Sequence, residues 1–379
     1  MIKLRDFQEQ VVRTDRRPNK DKTRVAVMGV FGELGSLMSE FKKRAREGPG
    51  YQSFSSSLVE EAGDLLWYFT ALGLDLGFTL DELFSAVWDQ RLAPDTTFTS
   101  LSKLPHLSPS IAGGDGWLLA AARAGEIAAA AHGPHDVASL RAALVRAIRD
   151  VVAALQVSKI SLAKAAEFNL SKSATRFPVA QVPLPLYDDL VQPDGKKIPL
   201  DERLPRRMDF DFEEVEVRGK LFVVQKVYSI KIGDPLTDNI SEKDDYKFHD
   251  VFHLAYASIL GWSPVLRALL KLKRKSFAEL DENQDGARAV LIEEGISTLV
   301  FNWAKPDYLE GVKRVDYNLL TTIAGFVKGY EVESQPFWAW EKAILRGYDV
   351  FRQLKEARRG RVTMDLQKRD IYFTEARTS

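Results

Sequence analysis

Glu33 and Glu40 stand seven residues apart, and Glu61 and Asp64 stand three apart further along. On helices, both spacings return a side chain to nearly the same face. Carboxylates among apolar residues cost free energy unless a cation compensates them. Ligands that are all oxygen suit Mg²⁺, with Mn²⁺ as the alternative. A metal held this way serves phosphate chemistry, bridging phosphates and activating the attacking water. Lys42 and Lys43 follow close behind as candidate phosphate ligands, and Trp67 as a candidate surface for a base. The structural reading of the same residues is plainer. Ser57 and Glu60 fit a capping box, Glu40 fits a solvated face, and aromatics at helical spacing fit a core.

These residues need helices to position them. The pattern predicts helices over 4–16, 25–47, 57–76 and about 79–92, with Gly48-Pro49-Gly50 ending the second. Residues 93–116 are rich in Pro, Ser, Thr and Gly and read as a linker. Then the pattern returns. Gly125-Glu126-Ile127 echoes Gly32-Glu33-Leu34, and the stretch ending in Asp150 echoes the stretch ending in Asp64. Glu33 to Asp64 is 31 positions and Glu126 to Asp150 is 24. The difference is about two helical turns, which keeps the same faces inward. This reads as a diverged internal repeat.

The motifs resemble those of the MazG-type, all-α nucleoside triphosphate pyrophosphohydrolases. That family carries Glu-x-x-Glu on one helix and Glu-x-x-Asp on the next. Here Glu33 matches the first position, Glu61 and Asp64 match the second pair, and Gly63-Asp64-Leu65-Leu66-Trp67-Tyr68 is similar to the family's run. The resemblance implies that Glu33, Glu61 and Asp64 are catalytic and bind Mg²⁺, cleaving a nucleoside triphosphate to monophosphate and pyrophosphate. Ser36 stands where the family has its second Glu, and Glu40, one turn further, is the expected substitute. The family's fourth helix often carries Asn and, three residues on, Lys. The first unit has Val87 and Gln90 there; the second has Asn169 and Lys172. The second unit keeps Glu126 and Asp150 but has Ala129 and Ala147 at the other acidic places. The expectation is an intrachain pseudo-dimer with one site, its carboxylates from the first unit and Asn169 and Lys172 from the second.

Beyond Pro178 the character changes. Residues 183–205 are Pro-rich and read as a linker or an ordered wrap. Alternating residues around Arg218-Gly219 predict a β-hairpin, helices follow near 246–260, 264–272, 285–304, 317–333 and 336–357, and a strand closes the chain at 362–372. His249 and His253 are four apart on one helix face, with Glu293 or Glu294 as a possible third ligand. Asp250 stands where a zinc protease would have its Glu, so that reading is weak. Lys273, Arg274 and Lys275 join His249 as candidate phosphate-sensing residues. Residues 205–375 resemble the C-terminal domain that accompanies some MazG-type proteins.

The expected fold class is mainly α, with two MazG-like helical units followed by an α+β domain. The boundaries are 1–100 for the first unit, 116–180 for the second and 206–379 for the C-terminal domain, with linkers 101–115 and 181–205. The 379 residues carry no cysteine, which excludes disulfides and thiolate chemistry. Formal net charge is zero, so there is no global pull towards nucleic acid or membrane. The start lacks an apolar core and the longest apolar run, 65–78, carries Asp75, so a cytoplasmic protein is expected. Two other functions compete with the hydrolase: a non-catalytic nucleotide sensor, and a metal hydrolase centred on His249 and His253. A homodimer is compatible with the resemblance.

Overall fold

The computed structural model describes residues 1–108, 115–132 and 136–375. The chain is mainly α, with an α+β C-terminal part, and divides into two compact units, Met1–Val179 and Ala180–Ser379. Among the described residues, no helix is long and apolar enough to cross a membrane.

The first unit is helical: α1 (Leu4–Thr14), α2 (Lys22–Glu47), α3 (Phe54–Asp75), α4 (Leu80–Trp88), α5 (Phe98–Leu101), α6 (Gly116–His132), α7 (Val137–Val157) and α8 (Leu162–Arg176). In α1, Leu4, Phe7, Val11 and Thr14 recur at helical spacing and are all buried. Gly48, at φ 58°, ends α2. Thr79 and Glu82 form the capping box that starts α4. Ser161 caps α8 by accepting from the Lys164 amide. α3 begins at Phe54, one turn before the expected start, so Ser57 and Glu60 lie inside the helix and not at its cap.

Packing crosses the unit. α2 lies against α3 and α6 against α7, α2 also meets α6, α8 packs on α3, and α4 packs on α7. Gly63 permits the close approach of α8: a Cβ there would sit 2.5 Å from the Ala165 carbonyl oxygen. Part of the expected linker is packed structure. Phe98 and Leu101 are buried in the core, and Lys3 bridges to Thr97. Residues 109–114 of that linker lie outside the described residues.

The second unit holds a five-stranded antiparallel sheet of order β3-β2-β1-β4-β5, from β1 (Arg207–Val217), β2 (Lys220–Val227), β3 (Ile230–Leu236), β4 (Arg359–Asp365) and β5 (Asp370–Thr374). Arg218 and Gly219 both have positive φ, the two-residue turn that joins β1 to β2. Pro235 is tolerated because β3 is an edge strand. The closing strand expected at 362–372 is instead the β4–β5 hairpin. The helices are α9 (Asp250–Leu260), α10 (Pro264–Leu270), α11 (Ala278–Asn283), α12 (Ala287–Ala304), α13 (Tyr317–Phe326) and α14 (Phe337–Ala357). α9 and α14 pack on each other and on β4 and β5. α9 is buried on every side from Val251 to Leu260, so a polar side chain on it must find its partners inside the protein. The stretch over 183–205 is an ordered wrap. Leu204 is buried, its amide donates to Asp188 at 2.8 Å, and Gln335 donates to the Tyr187 hydroxyl at 3.0 Å.

Candidate functional site

In the first unit, α2, α3 and α8 bring acidic and polar side chains together. Glu33 comes from α2; Glu60, Glu61 and Asp64 come from α3. From α8, Asn169 Nδ2 donates to Asp64 Oδ1 at 2.8 Å, and Lys172 Nζ donates to Asp64 Oδ2 at 2.5 Å and to Glu60 Oε1 at 3.1 Å. Glu33 and Glu61 interact closely, in the sense that favours the proton on Glu61. Burial pushes the Glu61 carboxyl up to about 8, and repulsion from Glu33 adds to the shift. Glu33 is raised as well, by burial first and then by Asp64. A set of oxygen donors that must keep a proton to coexist fits a divalent cation.

One residue of this group, Glu60, escaped the sequence reading. Glu60 had been assigned to a cap; its place four residues before Asp64 on one helix face was the signal for it. Tyr68, one turn after Asp64, faces the same carboxylates, and burial followed by Glu33 and Asp64 raises its phenol. Its ring lies over Gly29 of α2, where a Cβ would come within 2.3 Å of it.

Other expected site residues lie elsewhere. Glu40 is two turns beyond Glu33, about 10 Å along the helix. It is buried, accepts from Lys43 Nζ at 2.6 Å and from the Tyr51 hydroxyl, and so does not replace the acid missing at Ser36. Lys43 is thereby committed to Glu40, while Lys42 is exposed. Trp67 belongs to the packing of α3 on α1. Its Nε1 donates to Thr14 Oγ1 at 3.2 Å, and the Arg17 guanidinium covers its ring at 5.7 Å.

The echo of this group is built differently. Arg123 Nε donates to the buried Asp150 at 2.9 Å, and its Nη1 to Glu126. Arg146, in the place of Glu60, pairs with Glu126 at 3.3 Å. Ala147, in the place of Glu61, is buried. On the helix that packs against α7, Val87 is buried and Gln90 lies beyond the last turn.

In the second unit, α9 carries Asp250 and His253 with His249 at its N-cap, and each of the three offers a ligand atom within 4.8 Å of the others. His253 Nδ1 lies 2.8 Å from Glu293 Oε1, and His249 Nδ1 lies 2.8 Å from the Tyr246 carbonyl. Glu294 Oε1 stands 3.5 Å from His253 Nε2 and Oε2 3.8 Å from His249 Nε2. Burial lowers His249. Burial also acts against the His253 imidazolium, yet Glu293 and Glu294 hold its pKa well above the usual value. Residues 190–377 match the family described as the MazG C-terminal domain.

The C-terminal unit is a MazG C-terminal domain. No curated protein and no solved structure was found to match the chain.

Within the MazG C-terminal domain, Arg274 is not beside the histidines as a phosphate ligand. It is 1 % exposed, and its Nε, Nη1 and Nη2 are taken by Asp285 and Glu331 at 2.7–3.0 Å. A guanidinium so buried must have its donors satisfied by carboxylates, which makes it a brace. Glu293 is fully buried and accepts from His253, from Ser263 Oγ at 2.6 Å and from the Val265 amide at 2.8 Å. Its oxygens are therefore used in holding α9, α10 and α12 together, and Glu294 is the carboxylate that faces both Nε2 atoms. Asp238, from the polar run after β3, braces the buried Lys247 at 3.6 Å.

Proposed function

We propose that the first unit hydrolyses nucleoside triphosphates to nucleoside monophosphate and pyrophosphate, using Mg²⁺ or Mn²⁺ held by Glu33, Glu61 and Asp64. The observation that carries this reading is the meeting of Asn169 and Lys172 with Asp64 and Glu60 across the α3–α8 contact. A MazG C-terminal domain on the same chain supports a role of the nucleotide pyrophosphohydrolase kind. The metal would supply charge for the phosphates and an activated water. Lys172 holds one oxygen of Asp64 in place, and Asn169 fixes the other. Asn169 Oδ1 is buried without a partner and accepts a donor from the bound nucleotide. A carboxylate of the group orients the water, and Tyr68 stays protonated as a donor at its edge.

We further read 1–100 and 116–180 as two diverged copies of one helical unit. The reciprocal packing of α8 on α3 and α4 on α7 supports this. In the rival reading, favoured by Ser36, the unit binds nucleotides without cleaving them. One assay separates the two. Incubate the full chain with a panel of triphosphates and Mg²⁺ or Mn²⁺, and measure pyrophosphate and nucleotide retention. Release that vanishes in Asp64→Asn is the expected result. Retention with no release on any triphosphate establishes the sensor.

A further inference from the structure

We propose that the MazG C-terminal domain binds one divalent transition-metal ion through His249 Nε2, His253 Nε2 and Glu294, with Asp250 as a fourth oxygen donor. The argument begins with the other ring nitrogen of each histidine. A backbone carbonyl can only accept, so His249 carries its proton on Nδ1, donated to Tyr246 at 2.8 Å. The ring is pinned there, stacked on Tyr246 with centroids 4.3 Å apart and planes within 1°. Glu293, fully buried, plays the same part for His253 Nδ1. A carboxylate or carbonyl behind Nδ1 is the arrangement that aims a histidine Nε2 lone pair at a metal.

Both Nε2 atoms then face the same carboxylate. His253 is 2 % exposed and its Nε2 has no hydrogen-bond partner, which is costly for a polar atom on a fully packed helix. The gaps to Glu294 are 3.5 and 3.8 Å, and His249 Nε2 stands 3.5 Å from Asp250 Oδ1. An imidazolium–carboxylate pair would close to about 2.7–2.9 Å. Donors around a tetrahedral ion at about 2.0–2.1 Å are spaced by about 3.3 Å. The three observed gaps, of which the two to Glu294 end on different oxygens, are nearer to the spacing of ligands sharing a cation than to that of hydrogen bonds, and the donor atoms of His249, Asp250 and His253 lie within 4.8 Å of one another.

The donor set defines the ion. Two imidazoles with carboxylates suit Zn²⁺, Fe²⁺, Co²⁺ or Mn²⁺, whereas the all-oxygen group of the first unit suits Mg²⁺. Glu294 has 39 % of its side chain exposed, against 2 % and 13 % for the two histidines. The site therefore opens on the Glu294 side, where water or a ligand oxygen can complete the coordination.

The test uses the chelator-treated full chain titrated with Co²⁺, read by visible absorption and by metal content. One equivalent with a visible band is expected, and the band is expected to persist in an Asp64→Asn, Glu61→Gln variant, which removes two of the first unit's carboxylates. His249→Ala should weaken Co²⁺ binding by at least about 100-fold, and Glu293→Gln by about 10–100-fold with the band retained. Zn²⁺-loaded wild-type protein should show imidazole scattering from two histidines in its X-ray absorption spectrum, a readout that needs no variant to fold. Co²⁺ binding that is unchanged in the His249→Ala, His253→Ala double variant overturns the proposal. So does a Zn²⁺ spectrum with oxygen ligands alone.

Discussion

The carboxylates of α2 and α3 and those of α6 and α7 occupy matching places, yet their surroundings are opposite. Around Glu33 and Asp64 the neighbours are further acids, Glu60 and Glu61, with Lys172 as their one cation among the described residues, and burial first and mutual repulsion second raise Glu33 and Glu61. Around Glu126 and Asp150 the neighbours are Arg123 and Arg146, and the charges are met inside the protein. The helices that cover the two groups differ as well. α8 brings Asn169 and Lys172 to the first, whereas α4 offers the buried Val87 to the second half. Two similar helix pairs thus differ: four acids of the first share the single cation Lys172, whereas the two acids of the second are met by two arginines. Retained acids are not by themselves a site; what matters is whether the fold has already neutralised them.

The largest expected effect that could break this contrast is in Asp64→Asn against Asp150→Asn. Asp64→Asn should lower pyrophosphate release by about a thousand-fold or more, with little change in the melting midpoint. Asp150→Asn should leave turnover within a few-fold but destabilise the unit by about 2–4 kcal/mol, because Arg123 loses a buried partner. Denaturant unfolding of both variants checks it, and equal loss of turnover in both would erase the distinction. Next in size is Lys172→Ala, expected to reduce kcat/KM by about 100-fold through the loss of the ammonium that positions Asp64. Steady-state kinetics, with circular dichroism as the control for folding, measures this.

A third change tests the helix contact that joins the halves. Gly63→Ala places a methyl 2.5 Å from the Ala165 carbonyl oxygen and should cost about 1–3 kcal/mol while lowering turnover, since α8 must retreat. The echo position holds the exposed Arg149, so Arg149→Ala should shift neither quantity appreciably. The smallest effect concerns pH. The folded-state pKa of Glu61 is raised from 4.5 to about 8, so the folded state binds this proton more tightly than the unfolded chain. That contribution is complete below pH 4.5 and is lost as pH climbs through about 8. Without metal, the melting midpoint should therefore fall over this window by a few degrees. Mg²⁺ or the Glu61→Gln substitution should flatten the fall, and a midpoint that does not move with pH would remove the argument that Glu61 holds its proton up to about pH 8.

Much of the fold was legible because helix periodicity is local. The expected spans match α1 to α4 and α9, α10, α12 and α14 closely at most ends, and Arg218-Gly219 marked the hairpin by its turn chemistry. The helix expected over 317–333 ends at Phe326, α11 had no expected counterpart, and three further features were not legible. β3 was hidden because its Gly-Asp-Pro run reads as a turn, and only its place at the sheet edge makes Pro235 acceptable. The strand over 362–372 was a hairpin, whose reversal between Asp365 and Asp370 includes a positive φ at Arg369 that composition does not announce. Phe98 and Leu101 were assigned to a linker because Pro and Ser surround them, yet their burial secures the start of the chain.

The sequence by itself determined which residues could be ligands and which helix faces they share. Glu61 and Asp64, Asn169 and Lys172, and His249 and His253 are pairs set by three- or four-residue spacing. Tertiary structure decided which pairs meet and in what chemical state. Glu60 joined the acids in place of Glu40 because α3 starts a turn earlier and Tyr51 with Lys43 satisfies Glu40. α8, and not α4, covers α3, because Gly63 lets the backbones close. Tyr246 and Glu293 stand behind Nδ1 of His249 and His253 and fix how the two rings are turned. Spacing along a helix follows from covalent geometry, but burial, partner and protonation depend on residues far away in the chain.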